Sequence, residues 1–309
     1  MNTRYIINYN NKLGAGTFSN VYSATDISGN NYAVKIIDKN NKKKICKMIN
    51  NEISILNLLK SQHIVNLLDF TETDSKYFLY LEYVELKFIN VIQTMLLSDI
   101  FNYLKQLLQA LLYIQSYNIA HNDIKPANIL IKLLPNNNYQ IKLCDFGMSA
   151  DADNNHNFFC GSPIFMNLDR LTGNYKSNSD FWAIKVIYYY MVYGQHPFEG
   201  ATNIKELIDL INAGVKFAYF VNKHTTILQG LFNNNIKNAQ DLLNQIEMLD
   251  NNNQEINKEN KEEIIISRKP YKDYSIFINI SSVNDSFMDS TNFYQKIVDG
   301  DFEEFILLD

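Results

Sequence analysis

His121-Asn122-Asp123-Ile124-Lys125-Pro126-Ala127-Asn128-Ile129-Leu130 is the stretch that decides how this chain is read. It lies between a helical pattern and a strand-like one, where a loop is expected. A phosphoryl transfer needs a carboxylate to orient the attacking hydroxyl, an oxygen ligand for a metal ion, and positive charge near the moving group. Asp123, Asn128 and Lys125 supply these from one loop. Further on, Ile141-Lys142-Leu143-Cys144-Asp145-Phe146-Gly147 adds a second carboxylate, Asp145, at a strand end. Magnesium takes hard oxygen ligands and bridges phosphates, so Asn128 and Asp145 are the metal-ligand candidates. Either Asp alone reads as an ordinary loop residue; both segments, in this order and spacing, do not.

Toward the N-terminus, Leu13-Gly14-Ala15-Gly16-Thr17-Phe18-Ser19-Asn20-Val21 places two glycines between strand-like runs. A strand-to-helix junction, the setting of dinucleotide-binding folds, is not what this pattern gives. A glycine hairpin is common, but it can lay backbone N–H groups against phosphate without side-chain obstruction. The next run contains Ala33-Val34-Lys35. A lysine between apolar neighbours in a strand reads as a buried phosphate contact, and a buried ammonium needs a counter-charge. Glu52, inside the amphipathic pattern of residues 47–60, is the candidate partner.

With these segments in this order, the chain resembles the eukaryotic-type serine/threonine protein kinase family over roughly its first four-fifths. Three later segments fit the same resemblance. Cys160-Gly161-Ser162-Pro163-Ile164-Phe165-Met166 is similar to the substrate-docking loop, Asp180-Phe181-Trp182 to the start of the long central helix, and His196-Pro197-Phe198 follows where the family has it. The resemblance implies an α+β, bilobal fold: a small, mostly antiparallel β N-lobe with one key helix, about 1–84, and a larger, mostly helical C-lobe, about 85–248. It implies ATP and Mg2+ as cofactors. Lys35 would hold the α- and β-phosphates and pair with Glu52. Asp123 would be the catalytic base, Lys125 would contact the γ-phosphate, and Asn128 and Asp145 would bind magnesium. The glycine loop from Leu13 to Phe18 would cover the nucleotide. Leu81 would be the gatekeeper, Glu82, Tyr83 and Val84 the hinge, and Val21, Ala33 and Leu130 would sandwich adenine. Leu56, Leu67, Phe146 and His121 would form an apolar column. Lys125 and the hydroxyl of Ser162, placed to bond Asp123 and Lys125, imply Ser/Thr of protein substrates as acceptors.

Several positions depart from the family pattern. Ser19 replaces the third glycine of the loop. Asn122 stands where the family has Arg, and Phe158 where relatives carry a phosphorylated residue. Together these imply activity that does not wait for phosphorylation of that loop. Asn167-Leu168-Asp169 replaces Ala-Pro-Glu, with Lys237 the nearest candidate partner for Asp169, and Lys185 occupies a position that is usually Gly. The tail, Phe302-Glu303-Glu304-Phe305, resembles an aromatic docking motif.

The rest of the chain bounds these readings. With 309 residues, 46% hydrophobic, it can bury a sizeable core. Its net charge of -5 lacks the basic bias of a nucleic-acid binder. The 3 cysteines form no CxxC pair, which reads as reduced thiols. The N-terminus lacks the apolar core of a signal peptide. Phe181 to Tyr193 is the most apolar run, too short to span a bilayer and read as a core helix. A cytoplasmic protein is expected. Alternating patterns predict three strands over residues 5–37 and more over 64–84, with a turn at Thr73 to Ser75. Helices are expected over 98–117 with a Ser98 cap, and over 179–193, 203–213 and 238–247. The expected organisation is a kinase domain over 1–248, a polar linker over 249–263 and a tail of unassigned role over 264–309. The alternatives are a pseudokinase acting as a binding or scaffolding module, and a small-molecule phosphotransferase. Retention of Lys35, Glu52, Asp123, Asn128 and Asp145 argues against the first, and Lys125 with the Gly161-Ser162-Pro163 segment against the second.

Overall fold

Runs rich in β-branched and aromatic residues from Tyr5 onward produce the sheet whose third strand carries Lys35. In the computed structural model the described residues are 4–16, 19–39, 43–135, 138–153, 159–174, 178–217 and 223–256, with backbone alone for 43–45 and 250–256. In chain order the strands are β1 (Tyr5–Ala15), β2 (Ser19–Asp26), β3 (Asn31–Asp38), β4 (Leu67–Glu72), β5 (Lys76–Glu82), β6 (Leu86–Lys87), β7 (Ile119–Ala120), β8 (Ile129–Leu133), β9 (Tyr139–Leu143) and β10 (Ala150–Asp151). The helices are α1 (Lys43–Leu58), α2 (Phe88–Val91), α3 (Leu97–Ser116), α4 (Leu168–Leu171), α5 (Asp180–Tyr193), α6 (Ile204–Ala213), α7 (Lys223–Phe232) and α8 (Ala239–Ile256). The chain divides into two compact units, one of Met1–Leu86 with Leu130–Met148, the other of Lys87–Ile129 with the residues from Ser149 onward.

The first unit is built on a 5-stranded sheet in the order β1-β2-β3-β5-β4, antiparallel throughout. Residues directly opposite each other across a ladder share a face. Val34 faces Tyr22 and Tyr80, and with Tyr5, Ala24, Ile36 and Phe78 they build an apolar cluster on one side. Tyr5 stacks on Tyr80 at 4.1 Å between ring centroids. The register puts Val21, Lys35 and Leu79 in one row of the other face, and Ala33 and Leu81 in the next. Helix α1 begins at Lys43, ahead of the expected residue 47, and packs against the 3-10 turn Phe146–Met148. Thr73 closes the β4–β5 turn, its N–H donating to the Lys76 carbonyl at 2.8 Å.

The second unit is helical. Helix α5 is apolar around almost its whole circumference, as a helix surrounded by protein must be, and packs against α3 and α7. Gly194 ends it in the left-handed region at φ 68°, where glycine has no Cβ penalty. The expected Ser98 cap is not formed. Helix α3 starts at Leu97 with Leu96 as N-cap and no capping side chain, because Ser98 already lies in the first turn. Asn203 does cap α6, its Oδ1 accepting the Glu206 N–H at 2.9 Å. Helices α4 and α7 carry too short or too mixed a pattern to be predicted. The last helix runs to Ile256, into the segment expected to be a linker. Thr17, Phe18, Phe158 and the tail from 264, with its Phe302 to Phe305 motif, lie outside the described residues. Among the described residues no helix is long and apolar enough to cross a membrane.

Candidate active site

In the first unit the three groups expected around phosphate come together on Lys35. Its Nζ donates to Glu52 Oε1 at 2.6 Å and Oε2 at 2.9 Å, from α1, and to Asp145 Oδ1 at 2.7 Å, past the end of β9. Lys35 and Glu52 are buried, whereas 46% of the Asp145 side chain is open to solvent. Burial alone would pull the Lys35 pKa down, but Asp145 and Glu52 outweigh it and hold the ammonium charged. Asp145 adopts φ 63°, a left-handed turn that aims its carboxylate back at the sheet. Gly147 lies beside this cluster: a Cβ there would stand in ordinary contact, 3.4 Å from Asp145 Oδ1 and 3.5 Å from Glu52 Oε2.

The candidates for the adenine site also belong to this unit. Val21, Ala33, Leu81, Val84 and Leu130 are each half-buried, neither committed to a core nor fully wet. Leu13 and Gly14 are half-buried and Ala15 and Gly16 exposed. Gly16 and Ser19 exchange backbone bonds at 2.8 and 3.4 Å, closing the hairpin between β1 and β2. Glu82 does more than its sequence position suggested. Its carboxylate takes Lys132 Nζ at 2.7 Å, Lys142 Nζ at 2.8 Å and Asn66 Nδ2 at 3.2 Å. Burial raises the Glu82 pKa, yet these lysines bring it below the usual carboxylate range. Lys142 is itself buried and also reaches the Ile64 carbonyl at 3.2 Å. The signal existed: Lys142 stands between Ile141 and Leu143, as Lys35 stands among apolar neighbours.

The second unit holds the loop from His121 to Asn128. Asn128 Nδ2 donates to the Asp123 carbonyl at 2.8 Å and to its Oδ2 at 2.9 Å. Ser162 Oγ donates to Asp123 Oδ1 at 2.8 Å and accepts from Lys125 Nζ at 2.9 Å. Lys125 Nζ also lies 3.1 Å from Asp123 Oδ2. Both carboxylate oxygens are therefore pinned, and the hydroxyl expected from the sequence to join Asp123 and Lys125 does so. Asp180, at the start of α5, is buried and accepts the N–H groups of His121 at 2.7 Å and Asn122 at 2.9 Å. Sequence reading saw in Asp180 only a helix start. Leu56, Leu67 and Phe146 are buried in the first unit and His121 in the second.

One expectation needs correction. Asp169 and Lys237 are both exposed, and no ion pair joins them among the described residues; α4 turns Asp169 outward and its neighbour Arg170 inward. Lys185 is buried and has partners other than a carboxylate: the Leu231 carbonyl at 3.0 Å, near the end of α7, and the rings of Phe181 at 5.1 Å and Trp182 at 5.8 Å. A helix C-terminal carbonyl and aromatic faces both attract a cation.

The family model for the protein kinase domain matches residues 7–268. This chain belongs to the protein kinase domain family. It is 32% identical over 223 residues to serine/threonine-protein kinase cds1 of Schizosaccharomyces pombe, a match covering 65% of this chain and 47% of that protein. It is 34% identical over 220 residues to the probable serine/threonine-protein kinase fhkC of Dictyostelium discoideum, covering 66% and 36%. Calcium-dependent protein kinase 5 of Plasmodium berghei is 34% identical over 200 residues, covering 62% and 35%. The chain thus spans about a third to a half of the length of these relatives. The kinase domain's matched region extends past α8, beyond the boundary at 248 drawn from sequence.

The donor chemistry fits a nucleotide and a divalent cation. Asp145 presents an open carboxylate edge beside a fixed ammonium. In the second unit Asn128 carries an amide oxygen as well as the nitrogen that it commits to Asp123, and hard oxygens are what magnesium takes.

Proposed function

We propose that this kinase domain is an ATP-dependent serine/threonine protein kinase, transferring the γ-phosphoryl group of Mg-ATP to Ser or Thr hydroxyls of protein substrates. The observation that carries this reading is the Asp123–Ser162–Lys125 arrangement, a carboxylate held from two sides with an ammonium beside it. In the mechanism proposed, Asp123 accepts the hydrogen bond of the incoming hydroxyl and takes its proton as the bond to the γ-phosphorus forms and that to the β,γ-bridging oxygen breaks, with ADP as the leaving group. Lys125 stands by the transferring group's oxygens, and Lys35, held by Glu52, anchors the phosphates left behind. Asn128 and Asp145 would hold Mg2+, which when bound neutralises phosphate charge. Catalysis then rests on positioning and preorganised charge. The adenine would lie among Val21, Ala33, Leu81 and Leu130, with Glu82 and Val84 along its edge.

Cytoplasmic residence and a role without nucleic acid remain proposals from composition. The residues after 268, where the family match ends, are proposed to lie outside the domain. The test is incubation with γ-labelled ATP, Mg2+ and a mixture of basic peptides, beside Asp123→Asn, followed by phosphoamino-acid analysis. Label on Ser or Thr that the variant lacks supports the reading. ATP binding without transfer would favour the pseudokinase alternative, and label on phosphotyrosine would overturn the acceptor class.

A further inference from the structure

Arg170 is fully buried, at 0% exposure, in the single turn of α4. That turn is tied down locally: Asn167 Oδ1 accepts the Arg170 N–H at 3.1 Å and the Ser179 hydroxyl at 2.8 Å. Burying a guanidinium is costly unless its donors are used, and its rigid fork can serve two acceptors at once. Here the prongs go to different segments. Nη1 donates to Asn122 Oδ1 at 2.7 Å, and Nη2 to the Cys160 carbonyl at 3.3 Å and its Sγ at 2.9 Å.

Those segments are the two that meet at the reacting carboxylate. Asn122 precedes Asp123, and Cys160 stands two residues before Ser162, whose hydroxyl donates to Asp123. Their backbones touch between these points: a Cβ on Gly161 would lie 2.2 Å from the Asn122 carbonyl oxygen. Asn122 is held in the left-handed region at φ 67°, with its N–H on Asp180. The side chain that Arg170 grips therefore belongs to a strained residue directly beside the base.

We propose that Arg170 is a positioning residue: its fork sets the spacing between the loop bearing Asp123 and the segment bearing Ser162, and so aligns the carboxylate with the hydroxyl of a docked protein substrate. This rests on the kinase reading above. Nucleotide contacts through Lys35 do not involve it, so its loss should touch turnover and protein-substrate KM and spare ATP affinity.

The test compares the full chain with Arg170→Lys, Arg170→Met and, as control, Asp169→Asn, whose side chain is exposed. Measured are kcat and peptide KM at saturating ATP, ATP Kd by displacement of a fluorescent nucleotide, and Tm. An ammonium keeps the charge but cannot hold both segments. Arg170→Lys should therefore keep ATP Kd and lower Tm only modestly, while losing about tenfold or more in kcat. Arg170→Met should lose at least as much, and Asp169→Asn nothing. Full kcat in Arg170→Lys would overturn the proposal, since charge alone would then suffice. A joint fall of kcat, ATP affinity and Tm in both Arg170 variants would also overturn it, leaving only a role in folding. Should the unaltered chain transfer no phosphoryl group, the kinase reading fails on its own. Positioning is then read from amide exchange at Asn122 and Asp123: faster exchange in Arg170→Lys supports it and unchanged exchange overturns it.

Discussion

Acidification should weaken the second unit through one histidine. His196 is buried between rings, edge-on to Phe165 at 5.7 Å and 5.9 Å from Phe198. Its Nδ1 accepts the Phe198 N–H at 3.2 Å, so in the neutral ring the proton is on Nε2. Burial drives its pKa from 6.5 down to about 4, against a smaller upward pull from the Ile164 carbonyl. Between those two values the unfolded chain binds a proton that the folded chain refuses. Stability from this group is thus complete above pH 6.5 and is lost as pH falls toward 4. At about 1.36 kcal/mol per unit, the whole gap is worth roughly 3 kcal/mol, of which roughly 2.4 is lost between pH 7 and 4.5. For a domain of this size that is about 5–10 °C in Tm. Asp180, whose carboxyl burial lifts above its usual range, works in the opposite sense, so the raw profile mixes signs. The informative quantity is the difference between the native chain and His196→Asn, whose amide can accept the Phe198 N–H but does not titrate. Thermal unfolding by circular dichroism at both pH values should show a Tm drop smaller by about 5–10 °C in the variant. Parallel drops in the two proteins would refute the reasoning.

Other perturbations have equally definite outcomes. Glu52→Gln leaves Lys35 with Asp145 alone; breaking a buried pair costs about 3–5 kcal/mol, and the remaining partner should hold the loss near 2 kcal/mol in denaturant unfolding. The same variant should lower kcat/KM for ATP by about tenfold or more, and a stability loss with unchanged kinetics would argue against Lys35 as a phosphate contact. Glu82→Gln strips the counter-charge from buried Lys142 and should destabilise by about 2 kcal/mol at pH 7. That loss should shrink as pH falls through the carboxylate range, because the folded Glu82 carboxyl lies below its usual value. Gly161→Ala would force a Cβ to 2.2 Å from the Asn122 oxygen at φ 94°. It should cost about 3 kcal/mol and abolish phosphoryl transfer, and a variant with native Tm and kcat would contradict the close approach.

How far the chemistry was legible in sequence differs by residue. Lys35 and Glu52 could be paired in advance because an apolar-flanked lysine and a mid-helix glutamate are local features, and burial makes each need the other. Lys142 carries the same flanking signal, but nothing local marks Glu82, a hinge residue 60 positions earlier, as its partner. Lys185 stands out in sequence only as a departure from a usual Gly, and the Leu231 carbonyl that serves it comes from a helix with no strong apolar stripe. Asp169 drew attention through its place in a motif, while its neighbour Arg170 is the buried ion. A one-turn helix has no periodicity from which to tell which of two adjacent side chains points inward.

The sequence by itself determined the strand-rich beginning, the helical remainder and the residue types able to move a phosphoryl group, because alternation, apolar stripes and ordered motifs are encoded locally. The tertiary structure alone decided several other polar meetings. Arg170 clasps Asn122 and Cys160, Lys185 finds the Leu231 carbonyl, and Glu82 gathers two lysines across long separations in the chain. No periodicity records such meetings. They follow from the need of each buried polar group for a partner, and the packed fold sets which partner lies within reach.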